Sequence, residues 1–64
     1  MTPTVKYDAA ANAAYIRFSD EKVLESEEVS PGVVFDFDAQ GRIVAIELLD
    51  ARAQLGPDVL NRAA

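Results

Sequence analysis

The sequence predicts a small, mainly β fold at the margin of α+β, an antiparallel β-meander of about five strands with a short C-terminal helix. Three observations predict it. Apolar residues alternate with polar ones at a period of two in four separate stretches, as in strands with one buried face. Turn-forming residues punctuate those stretches at short intervals, with Pro31-Gly32 and Asp38-Ala39-Gln40-Gly41 the clearest. Tyr7-Asp8-Ala9 followed by Ile16, Phe18 and Asp20 also returns thirty positions later as Phe37-Asp38-Ala39 followed by Ile46, Leu48 and Asp50, which suggests two β-hairpins of similar design.

The first strand is expected near 4–8, where Val5 and Tyr7 alternate with Thr4 and Lys6, and the second near 13–19, where Ala14, Ile16 and Phe18 alternate with Tyr15 and Arg17. A helix through the alanine-rich stretch 9–14 competes, but a helix shorter than about 12 residues is marginal alone, and Tyr-Ile-Arg-Phe favours a strand. Asp20-Glu21-Lys22 is a polar turn. Val23 to Val29 is too acidic to bury both faces and suits an edge strand, whose charges discourage pairing with other chains. Val33, Phe35 and Phe37 alternate with Val34, Asp36 and Asp38. A type I turn at Asp38–Gly41 follows, its glycine in the left-handed position of a bulged loop.

The returning strand, about 42–49, carries Val44, Ile46 and Leu48 on one face, while Ile43, Ala45 and Leu49 make its other face partly apolar and imply a second burial surface. Asp50 is a candidate cap for a helical turn from Ala51 to Leu55 that Gly56 ends. Pro57 and Asp58 suit the first turn of a second short helix with Val59 and Leu60 on its apolar side. The expected core is Val5, Tyr7, Ala14, Ile16 and Phe18 with their offset counterparts Phe35, Phe37, Val44, Ile46 and Leu48. Gly41 corresponds by offset to Ala11, whereas Asn12, the better left-handed residue, lies one step on.

The 64 residues make a single domain, 1–64, and a chain of this length buries only about 60% of its unfolded surface. With no cysteine for a disulfide and no Cys or His for zinc, association with another chain is the expected remedy. The absence of His and Cys also removes triads and thiol chemistry. Ser19, Ser26 and Ser30 have no histidine to take their proton and read as strand or turn residues. Residues 20 to 50 hold nine acids against Lys22 and Arg42, a charge of −7; four cations against Asp8 and Asp58 make the remainder +2, for the overall −5. An acidic middle repels phosphate backbones, so no nucleic-acid binding is expected. No apolar run approaches the roughly 20 residues that span a bilayer, and the start lacks the basic and apolar regions of a signal peptide, so no membrane partner and a cytoplasmic location are expected.

Three constellations have chemical potential. Asp36, Asp38, Gln40, Gly41 and Glu47 fall close to the spacing of an EF-hand calcium loop, but β-branched and aromatic residues stand where its helices belong, and a hairpin turn explains the same letters. Asp36 with Glu47, or Glu25 with Glu27, is a formal acid–base pair, yet a domain this small has little room for a cleft and no catalysis is expected. Tyr15 and Arg17 are types enriched at interface hot spots. With Leu49 on the partly apolar face of its strand, and Val59 and Leu60 on the last helix, they form the candidate interface set.

Tyr7-Asp8, Ala13 through Ser19, Glu27-Glu28-Val29, Pro31-Gly32-Val33-Val34, Asp36-Phe37-Asp38, Gly41-Arg42-Ile43-Val44 and Ile46 through Ala51 together resemble the bacterial family catalogued as domain of unknown function 2283, from Val5 to Arg52. The resemblance implies a small β-rich fold and brings no functional residues; the tail from Gln54 onward lies outside it. The expected role is a non-catalytic, cofactor-free interaction module that self-associates, a dimer being favoured. The alternative partner is a basic protein whose surface the acidic segment masks, in the manner of an antitoxin.

Overall fold

The computed structural model describes residues 3–62. Five strands, β1 (Thr4–Asp8), β2 (Ala13–Arg17), β3 (Glu25–Ser30), β4 (Val33–Phe37) and β5 (Ile43–Leu49), form one antiparallel sheet, followed by helices α1 (Ala51–Gln54) and α2 (Pro57–Arg62). The strand order is β1-β2-β5-β4-β3. A hairpin and a three-stranded meander thus sit side by side, and residues 18–24 carry the chain from β2 to the far edge. Burial explains the order. β5 has apolar residues on both faces and takes the centre, whereas all six residues of the acidic β3 are exposed and take an edge.

The thirty-residue echo is a structural one. The offset carries the pair Val5↔Ile16 onto Phe35↔Ile46 and Lys6↔Tyr15 onto Asp36↔Ala45. Ile16 in turn pairs with its own counterpart, Ile46. The two hairpins are therefore related by a local two-fold axis normal to the sheet. The relation breaks where the register shifts between Asp36 and Phe37, a bulge at the loop that Gly41 closes. Gly41 and Asn12 both take positive φ, 75° and 50°, one step apart in the offset numbering as the sequence implies. Asp8 and Asp38 also act alike, each closing its own loop. Asp8 Oδ1 accepts from the Ala10 and Ala11 amides, and Asp38 Oδ1 from the Gln40 and Arg42 amides.

Val5, Tyr7, Ala14, Ile16, Val33, Phe35, Ile46 and Leu48 share one face by cross-strand register. At one end of it Ala14, Leu48 and Ala51 form a buried cluster, with Tyr7, Ile16, Val33, Ile46, Leu55 and Leu60 packed around it. The helices cover that end only. Of the ten expected core residues, Ala14, Val44 and Leu48 are buried, six are half-buried and Phe18 is 41% exposed. Phe18 is thus corrected to the surface, because β2 ends at Arg17 and the chain turns into the crossover. Ala45 and Ala51, small enough for close backbone approach, are fully buried in its place.

Asp50 is a second correction. It does not cap α1: its backbone is left-handed (φ 53°) and its side chain makes no cap bond. The cap comes from Asn12, whose carbonyl accepts from the Ala51 amide at 2.9 Å and whose Oδ1 accepts from the Arg52 amide at 3.0 Å. Asp50 Oδ1 instead accepts from Asn12 Nδ2 at 2.9 Å. Among the described residues, no helix is long and apolar enough to cross a membrane.

Candidate functional site

The opposite face of the sheet places Lys6, Tyr15, Glu47, Val34 and Glu28 in one cross-strand row, and Thr4, Arg17, Ala45, Asp36 and Ser26 in the next. Most of the chemistry-bearing side chains collect here. Arg17 pairs with Ala45 of the central strand, and its guanidinium donates to Tyr15 Oη at 2.9 Å and to the carbonyls of Ser19 and Glu21. The fork thereby fastens the crossover after β2 to the sheet. This structural role is invisible in the sequence, because the carbonyls it serves belong to a loop with no pattern of its own.

Asp36 and Glu47 come together as neighbours on β4 and β5. Asp36 is only 2% exposed and accepts from Ser26 Oγ at 2.6 Å. Glu47 is pushed above its ordinary 4.5, chiefly because its protonated carboxyl hydrogen-bonds Asp36, with burial and the Asp36 charge adding to the effect. Glu25 and Glu27, the other carboxylate pair, stand exposed on β3.

Asp38 is held below its ordinary 3.8, led by the hydrogen bond from the Arg42 amide, and its other oxygen pairs with Arg42 Nε at 2.9 Å. Gln40 Oε1 accepts from Arg42 Nη2 at 3.2 Å. Two of the EF-hand-like oxygen donors are thus turned onto their own hairpin, and strands rather than helices flank the loop. No group of three carboxylates gathers as a ligand set among the described residues.

The two acids give stability opposite pH dependences. The Asp38 contribution is present above pH 3.8 and is lost as pH falls through its depressed pKa. Glu47 acts the other way: above 4.5 the folded chain holds a proton that the unfolded chain releases, so stability falls as pH rises through the elevated value. Glu47→Gln is expected to flatten this upper limb and raise the melting temperature at pH 7 by about 2–4 °C, the effect of relieving roughly 0.5 kcal/mol of like-charge repulsion between adjacent strands. At pH 4 it should change little. Melts of both proteins across pH would measure the difference.

Of the five candidate interface residues, Tyr15 and Leu49 line a shallow groove of about 290 Å³ with Lys6, Ala13 and Glu47. Leu49 is 53% exposed. Arg17 lies in the adjacent cross-strand row. Val59 and Leu60 are half-buried on α2, and Leu60 packs against the core cluster on the other face. The set is therefore divided between two surfaces. Apolar side chains are also exposed at the end of the sheet away from the helices, where Phe18, Leu24 and Ile43 are 41%, 62% and 44% exposed; Ile43 pairs with the half-buried Phe37, whose carbonyl accepts from the Leu24 amide. Excess apolarity of 42–49 hinted at unsatisfied surface, but its position depended on where the helices come to rest.

The family model described as protein of unknown function (DUF2283) matches residues 4–52. No curated protein and no solved structure matches the chain. The matched span contains the whole five-stranded sheet and the start of α1, so the chain belongs to the DUF2283 family.

Proposed function

We propose that this protein is a non-catalytic interaction module that self-associates through the apolar end of its helix-bearing sheet face. One observation carries the reading: among the described residues the largest fully buried side chain is Val44, while Phe18, Leu24 and Ile43 stay exposed at the end the helices do not reach. Single chains rarely leave contiguous apolar surface uncovered unless it is used. A second copy placed against that end would bury the row Val5, Ile16, Ile46 and Phe35 and supply the missing layer. The Asp36–Glu47 pair fits this reading as an internal contact, with Asp36 turned to Ser26 instead of toward a cleft.

The double variant Phe18→Ser/Leu24→Ser removes apolar surface that the single chain does not bury. It should shift the mass measured by light scattering from dimer to monomer, with the far-ultraviolet circular dichroism of a β-sheet retained. A parent chain that is monomeric at the same concentration would overturn the proposal. The fully exposed β3, with Glu25, Glu27 and Glu28, supports a second reading in which a basic protein docks along that edge. Capture of such a protein that weakens steeply with salt would favour it.

A further inference from the structure

We propose that α2 is a releasable strap, an intramolecular contact that masks part of the surface through which copies associate; this rests on the self-association reading and adds its regulation. The masked and open surfaces are continuous. Leu55 and Leu60 pack at the cluster of Ala14, Leu48 and Ala51, and the same cluster extends through Ile16 and Ile46, which belong to the row running to Val5 and Phe35 at the open end. Lifting the strap would therefore enlarge one apolar face instead of exposing a second.

The hold on α2 is slight. None of its residues is buried, and no hydrogen bond among the described residues joins it to the sheet; the Val59 and Leu60 amides bond back to the Gly56 carbonyl. By contrast α1 is fixed at its start by Asn12 and at its end by Gln54 Nε2, which donates to the carbonyls of Gly32 and Leu49. The break in attachment falls at Leu55-Gly56-Pro57, beyond the family's matched span, which ends at Arg52. The strap thus lies outside the matched span, which contains the whole sheet. A six-residue helix is too short to be stable alone, so a released α2 frays and does not compete strongly for its old seat.

The test uses the full chain carrying Leu60→Asp. Sedimentation equilibrium should show self-association tightened by about tenfold over the parent, with the β-sheet circular dichroism unchanged. Equal or weaker association of a folded variant, while the parent still associates, overturns the strap alone. Absence of association in both overturns the strap and the self-association reading together. If the variant fails to fold, hydrogen exchange of the unaltered chain decides: Val59–Arg62 amides should exchange faster as concentration rises while β5 amides slow. Exchange in α2 that is unaffected or slowed by concentration refutes the proposal.

Discussion

Leu48→Ala is expected to unfold most of the protein at moderate temperature, whereas Leu49→Ala one position along is expected to leave stability within about 0.5 kcal/mol. Leu48 is 7% exposed and Leu49 53%. Leu48 sits at the centre of the sheet on β5, paired with Ala14 on one side and Val33 on the other, beneath the start of α1. Removing its side chain leaves a cavity where three elements meet, and such truncations cost about 2–5 kcal/mol. A domain of this length has roughly 3–10 kcal/mol in total. A loss of about 3 kcal/mol therefore corresponds to a fall in melting temperature of about 15 °C or more. Thermal melts of the two variants at one concentration would show the contrast, which follows from strand alternation placing neighbouring leucines on opposite faces.

Gly32→Ala should destabilise by about 2 kcal/mol and lower the melting temperature by about 10 °C. Gly32 turns the β3–β4 hairpin at φ 77°, and a Cβ there would stand 3.3 Å from the Leu49 carbonyl oxygen. Its carbonyl also accepts from the Leu49 amide at 2.8 Å, so its position is tied to the end of β5 and cannot relax freely. Gly41 provides the comparison: its φ is 75°, but a Cβ added there meets nothing within 4 Å. Gly41→Ala should incur only the left-handed backbone cost of about 1 kcal/mol. Equal losses at the two glycines, in matched denaturation curves, would show that the contact with Leu49 is unimportant.

What could be read in the sequence was local. Period-two alternation placed the strands within a few residues, Glu25, Glu27 and Glu28 marked β3 as an edge, and Gly41 and Asn12 announced left-handed turns. The misreadings and omissions come from contacts that no periodicity in the sequence announces. Asp50 has the composition of a helix cap, but Asn12 arrives from 38 residues away and takes its place. Phe18 continues an apolar alternation, yet the crossover withdraws the strand before it. The hold of the Arg17 guanidinium on the loop carbonyls of Ser19 and Glu21 is an omission, since that loop has no pattern of its own. The Asp36–Glu47 pairing was legible as two acids at a suggestive spacing, while its burial depended on β3 bringing Ser26 alongside.

We propose that a second copy of the chain completes this sheet. An assembly that unfolds to separate chains is stabilised by mass action, whereas a monomer is not. The deciding measurement is the melting temperature over a hundredfold range of concentration, with sedimentation equilibrium at each end. We expect the midpoint to rise with concentration and the mass to approach that of two chains; a constant midpoint with the mass of one chain throughout would contradict the claim.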